Sequence, residues 1–408
     1  MSNATARAVT PREWMFEKLL MGMTPGAYVR SLFTPFNAVA ALILAAGIPA
    51  ILYRFVYGLG AATNLSQVNP WGIWIGFDVL SGVALAAGGF TLAATVHIFN
   101  LKKYAPVVRP ALLTGFLGYV FVVVGLLADL GRPWKLPVPI VYSYGTTSVM
   151  FEVAWCVCLY NFVLFLEFVP AALEWLGLRN AREWTMRLTL GLTVFGVMLS
   201  TLHQSSLGAL FLLTPTKMHP LWYSPFIPIY FFVSAVIAGL SMVIFESALS
   251  HRIFRNQLDP DAHVDLDGIT LGLAKAASVL LFAYFFIRLQ GLADSQAWAL
   301  LNTPYGYWYI FEMLGFVLVP CFAFAHAVRT HKPTLARVTA AWTVLGVVMY
   351  RLDISVIAMN WNAAVRYVPS VIEVLTSVTI VTIGVLTFRW IVNRMPILRA
   401  HPEYPDAH

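Results

Sequence analysis

Asp78, Glu152 and His203 each lie within a long apolar run, with no opposite charge in register on the same segment. Two carboxylic acids and an imidazole in a dry interior are equipped to hold a polar ring and exchange its protons. A quinone, with two carbonyl oxygens and two protons taken up per reduction, suits an imidazole donor set opposite a carboxyl group. Other ionisable residues accompany them: Asp129 and Arg132, Arg288 and Glu312, Arg351 and Asp353, and Glu373. Ion pairing is the competing account for several of these. Asp129 with Arg132, Arg351 with Asp353 and Arg288 with Glu312 would each hold helices together. A further set, His97, Glu167, Glu246, Lys275 and His326, could form a path for protons, with isolated polar anchors as the alternative.

Other chemistry finds little support. Cys156, Cys158 and Cys321 fall in apolar runs, and the first two diverge to different faces of a helix, so all three are read as inert core thiols. A phosphate-binding loop, a dinucleotide fingerprint and a metal-ligand spacing are absent from the sequence, and no catalytic residue is assigned. A bis-histidine haem is conceivable between His97 and His326. Satisfied core histidines are the default for both, so haem is not expected and the chain is expected to carry no redox cofactor of its own. Asp259, Asp261, Asp265 and Asp267 lack the spacing of a calcium loop and read as a solvated linker.

Only 11% of the 408 residues are Asp, Glu, Lys or Arg, and 59% are apolar or aromatic. Soluble domains carry about 25% charged residues, so lipid is the solvent that this composition fits. Ten apolar runs, at 36–56, 71–99, 111–130, 147–173, 184–213, 224–249, 269–289, 307–327, 335–359 and 367–392, are each long enough to cross a bilayer as a helix. The expected fold is an all-α integral membrane protein of about ten transmembrane helices, in paired four-helix bundles with flanking helices. Residues 1–33 form a cytoplasmic segment lacking signal-peptide character, with a stretch at 16–33 suited to the membrane surface. Residues 34–393 form the membrane domain and 394–408 a cytoplasmic tail.

With both termini inside, 19 of the 26 Lys and Arg fall on the cytoplasmic side and 7 on the outer side. The net charge of +7 is then topological, and no nucleic-acid partner is needed. In this orientation Asp78 lies about 10 Å, Glu152 about 8 Å and His203 about 15 Å below the outer surface, at 1.5 Å per helical residue. Asp129, Arg132, Arg288, Glu312, Arg351, Asp353 and Glu373 join them in one layer near the outer face. A buried ionisable residue costs at least about 2.5–3.5 kcal/mol at a helix centre, so such a layer belongs to a bundle interior.

Several segments then carry a resemblance. They are Met23-Thr24-Pro25-Gly26, Asn69-Pro70-Trp71-Gly72 with Ile75-Gly76-Phe77-Asp78, and Arg109-Pro110-Ala111-Leu112-Leu113-Thr114-Gly115-Phe116. Asp129-Leu130-Gly131-Arg132-Pro133-Trp134, residues 146–155 around Glu152, and residues 200–208 around His203 complete the set. On these the chain resembles the NrfD/PsrC (polysulfide reductase membrane subunit) family, in the HybB branch. The resemblance implies a non-autonomous, quinone-reducing membrane subunit of the bacterial inner membrane, under a periplasmic iron–sulfur subunit and a Ni/Fe hydrogenase. Electrons would pass through the partner to menaquinone or ubiquinone, with proton translocation proposed for the family. The head group is expected by His203, Asp78 and Glu152, with Asp129 and Arg132 at the rim. A proton-coupled secondary transporter and a passive anchor for a periplasmic enzyme are the alternatives.

Overall fold

The computed structural model describes residues 14–258 and 264–399. Ten helices are long and apolar enough to span a membrane: α1 Pro35–Tyr57, α2 Trp74–Ile98, α3 Lys102–Asp129, α4 Val149–Leu176, α5 Arg179–Leu213, α6 Ile227–Ile253, α7 Leu266–Asp294, α8 Pro304–Arg329, α9 Pro333–Ile357 and α10 Val371–Val392. They fall on the ten expected runs, and among the described residues no strand forms. The chain is a multi-pass membrane protein. Helices α2–α5 pack as one bundle and α6–α9 as a second, while α1 and α10 lie against each other and α10 against α3. Successive helices run in opposite directions. The surface where α1 begins is called the basic face below, and the other the loop face.

The two bundles meet where α2 crosses α6. Gly239 makes this crossing close: a Cβ there would sit 2.7 Å from the Ala87 carbonyl carbon and the Gly88 nitrogen, both backbone atoms that cannot swing aside. The outward surfaces carry large apolar side chains such as Val39, Leu42, Phe162 and Phe322, as contact with lipid requires.

Helix α2 departs from the uninterrupted run that its sequence suggests. Residues Trp74–Ser81 and Ala94–Ile98 are π-helical, with short α-helical pieces Gly82–Leu85 and Gly88–Ala93 between them. Further π-helical turns occur at Leu314–Leu318 in α8 and Asp353–Ile357 in α9. Such turns are rare and gather at functional sites.

Short connections cap the helices. Thr34, Ser148, Thr303 and Ser370 accept a backbone N–H at the starts of α1, α4, α8 and α10. Asp265 does so for α7, and Asp267 pairs with Arg337 at 2.6 Å, so two of the acids expected in a solvated linker have structural partners. Asp259, Asp261, residues 1–13 and residues 400–408 lie outside the described residues. Within 16–33, Pro25–Ser31 is helical and largely exposed, and Arg394 donates to the Leu19 carbonyl (2.9 Å) and the Tyr28 hydroxyl (2.8 Å). Cys156 and Cys321 are buried thiols as expected, whereas Cys158 is exposed.

On the loop face, two connections zip together. The His219 N–H donates to the Ala358 carbonyl at 2.9 Å and the Asn360 N–H to the Lys217 carbonyl at 2.7 Å. The Asn360 side chain adds the connection before α2 by donating to the Val68 carbonyl at 2.6 Å. The His219 ring lies between Tyr305 and Trp361, with centroids at 4.6 and 4.8 Å, and its Nδ1 accepts the Leu221 N–H at 3.2 Å. Burial pulls His219 down to about 4. Burial and the neighbouring Glu373 push Tyr367 up.

Two outcomes follow from this packing. Gly239→Val should lower thermal stability in detergent by about 1–3 kcal/mol, the usual cost of overpacking. Gly191→Ala, where a Cβ meets nothing within 4 Å, should leave it near the native value. Equal transition temperatures for both variants would contradict the close α2–α6 crossing. For His219, the unfolded chain takes up a proton below about pH 6.5 that the folded chain refuses until about 4. Stability should therefore fall as pH drops from about 6.5 towards 4, and His219→Gln should flatten that slope. Melting curves of the two proteins across this range decide it, and parallel slopes would remove His219 as the cause.

Candidate functional site

Asp78 sits inside the π-helical start of α2, where Ser81 donates to the Gly76 carbonyl at 2.8 Å, five residues back. The carboxyl is buried and accepts the Ser377 hydroxyl of α10 at 2.5 Å. Gly125 of α3 makes room for it, since a Cβ there would come within 2.7 Å of Asp78 Cβ. Asp78 lines a cavity of about 670 Å³ bounded by α2, α3, α6 and α10 and by the start of α1. That volume lies in the range of about 300–1,000 Å³ typical of small-molecule sites. Its wall is largely apolar, with Phe77, Phe121 and Phe245 among the lining side chains. Asp78 lies towards the loop face, whereas Glu246, Thr114 and Arg389 line the half nearer the basic face. Glu246 Oε1 and Thr114 Oγ1 are buried there and lie near each other. The cavity therefore offers an apolar slot with a tethered carboxyl at one end and a buried polar pair at the other.

His203 and Glu152 do not share this cavity. His203 is fully buried one layer behind its wall. Its Nε2 meets the Tyr119 hydroxyl, its Nδ1 the Leu199 carbonyl at 2.7 Å, and Tyr160 packs against the ring. Gln204 beside it donates to the Val83 carbonyl at 3.0 Å. With both ring nitrogens engaged, His203 ties α5 to α3. Glu152 is half-buried at the start of α4 and does not line the cavity. A trio drawn from similar depths thus resolves into three separate places, because depth fixes height in the bundle but not angle around each helix.

Asp129 and Arg132 also part. Arg132 is exposed, and the pair forms no salt bridge. The cation close to Asp129 is Arg54, which is buried and donates to the Ala128 and Leu130 carbonyls on either side of it. Asp129 lies within electrostatic reach of Arg54, Glu373 and Asp78, and its Oδ1 is buried without a hydrogen-bond partner. Glu373 accepts from Tyr367 and Asn64 and closes the capping box with Ser370. Sequence reading missed Arg54, although a lone charge in an apolar run is a signal that could have found it; nothing in the sequence marks Ser377, a hydroxyl among many.

In the second bundle, Arg288 and Glu312 pair at 3.0 Å as expected. Arg351 and Asp353 do not pair. Arg351 donates to the Phe231 carbonyl and Ser234 hydroxyl, both at 3.0 Å, and Asp353 accepts from Trp308 at 2.9 Å. The five-residue inner path also divides. Glu246 belongs to the large cavity. His97 and Glu167 line a separate cavity of about 80 Å³, Glu167 accepting from Thr193 at 3.0 Å. Lys275 and His326 are exposed. Sequence reading missed Glu174, a fully buried carboxylate that accepts both Arg109 (2.8 and 2.9 Å) and Arg182 (2.7 Å) and locks the α4–α5 turn onto α3.

Comparison with known proteins agrees with this architecture. The family model described as "Polysulphide reductase, NrfD" matches residues 61–392. A Nitratidesulfovibrio vulgaris protein named only "Protein" is 51% identical over 381 residues, covering 93% of this chain and 98% of its own. The Escherichia coli "Probable Ni/Fe-hydrogenase 2 b-type cytochrome subunit" is 33% identical over 352 residues, covering 85% of this chain and 88% of its own. The Nitratidesulfovibrio vulgaris "Menaquinone reductase, integral membrane subunit" is 26% identical over 378 residues, covering 85% and 87%.

The expectation that haem is unlikely is corrected by the second of these, whose name attaches a b-type cytochrome to a relative covering 85% of this chain. Among the described residues, His97, His203 and His326 do not form the facing pair that a bis-imidazole haem takes. His203 has both nitrogens engaged, His97 lines the small cavity without a second histidine, and His326 is exposed. With a family match across most of the chain and a relative one-third identical over most of both lengths, the chain belongs to the NrfD family.

Proposed function

We propose that this chain is the quinone-binding membrane subunit of a respiratory oxidoreductase complex in the bacterial inner membrane. The observation that carries the reading is the apolar cavity ending at the tethered Asp78 carboxyl, in a chain related to a menaquinone reductase membrane subunit. The quinone ring would lie against Asp78, and its isoprenoid tail along the phenylalanine-lined wall. Reduction to quinol takes two electrons and two protons. Asp78 would pass one proton to the nearer carbonyl oxygen, and Ser377 would hold the carboxyl in position for that transfer. Glu246 and Thr114 offer further polar contacts within the same cavity.

The loop face is taken as periplasmic, with both termini cytoplasmic, on the distribution of 19 against 7 basic residues. An iron–sulfur partner would then dock on the loop face, over Asp129 and Arg54. The name of the Escherichia coli relative points to a Ni/Fe hydrogenase as the source of electrons, passing them from hydrogen to quinone. Proton translocation would have to use Glu246 and Asp78, since the remaining inner residues are dispersed.

The test is quinone reduction by the assembled complex carrying Asp78→Asn. Loss of a positioned acid–base group should lower turnover by about 10²-fold with partner subunits still co-purifying. Ser377→Ala should cost about tenfold, the worth of one buried hydrogen bond. Unchanged turnover in an intact Asp78→Asn complex would leave the chain as a passive anchor.

A further inference from the structure

The second bundle carries an ionic cluster that the quinone reading does not use. Arg288, Glu312, Arg351 and Asp353 are each no more than 3% exposed, and they come from α7, α8 and α9. Glu312 is fully engaged as an anion: Oε1 accepts Arg288 at 3.0 Å and Oε2 accepts Trp222 at 2.9 Å. The two arginines are met mainly by other groups. Arg288 lies 4.6–5.7 Å from the ring centroids of Tyr230, Tyr284, Tyr309 and Tyr350. Arg351 lies 3.7 Å from the centroid of Phe231 and donates through Nη2 to a backbone carbonyl and to Ser234, while its Nε and Nη1 make no hydrogen bond. Such π faces and oxygens stabilise a guanidinium without a second carboxylate.

Asp353 has no such arrangement for a negative charge. Its Oδ1 accepts Trp308, its Oδ2 is buried with no partner, and no cation pairs with it among the described residues. The Glu312 carboxyl of α8 acts electrostatically on the Asp353 carboxyl. Two buried carboxylates that act on each other repel in a low-dielectric interior, whereas a proton on Asp353 removes that repulsion. Asp353 also opens the π-helical turn Asp353–Ile357, which lets its side chain leave the regular α9 face and meet α8.

We propose that Asp353 carries a proton beside the Arg288-paired Glu312 carboxyl, making the α6–α9 bundle a closed proton-binding site separate from the Asp78 cavity. This site does not depend on the quinone reading. Its test is infrared difference spectroscopy of the assembled complex in H₂O and D₂O. A carboxylic-acid carbonyl band, shifting in D₂O, should be present in the native protein, be retained in Asp78→Asn and be lost in Asp353→Asn. Trp308→Phe, which removes the donor to Asp353 Oδ1, should move the same band in frequency and covers the case of an Asp353→Asn chain that fails to assemble. Native and Asp353→Asn spectra that superimpose in this region, or a band unmoved by Trp308→Phe, would overturn the assignment.

Discussion

The hydrocarbon core offers no water to a polar side chain, and the internal arrangement of this protein follows from that constraint. A charge placed there costs a few kcal/mol on insertion, so each must find a partner, reach an interface or gather with others in the bundle interior. All three solutions occur. Glu174 is held by Arg109 and Arg182, His326 is exposed within a turn of the end of α8, and Arg288 is enclosed by tyrosine rings and Glu312. Asp78 stands apart because its partner, the Ser377 hydroxyl, is neutral and the rest of its surroundings are an open apolar space.

That arrangement separates two kinds of polar burial. In the first bundle, His203 and Tyr119 are closed off from any cavity and act as fixed ties between helices. At the junction of α2, α3, α6 and α10, Asp78 and Glu246 face space that a ligand can fill. The close α2–α6 contact at Gly239 brings the walls of that space together, so the packing of the two bundles and the shape of the cavity are one feature.

The ten helices were legible because runs of apolar residues report directly on a solvent that excludes charge. Residues 36–56 and 367–392 needed no partner to be identified as spans. The site was legible only in part. Asp78 could be picked out as a carboxyl inside a span, but its neighbours could not. Ser377 lies 299 positions away in sequence and Glu246 near the opposite end of its helix. His203 and Glu152 were placed beside Asp78 because counting residues gives depth alone. The irregularity of α2 was hidden for a related reason: Gly82, Gly88 and Gly89 permit a break, whereas the π-helical turns that result depend on what packs against them.

The π-helical start of α2 has a consequence for how this protein can vary. A π turn holds one residue more than the α-helical turn it replaces, and each residue of an α-helix turns the chain by about 100°. Removing a single residue from Trp74–Ser81 would therefore let α2 become regular while swinging Asp78 about a quarter-turn away from Ser377 and the cavity. The surrounding helix would keep its length and apolar character. Chains of this kind could thus lose the carboxyl from the site by a one-residue deletion that leaves Asp78 itself, and every span, intact in the sequence.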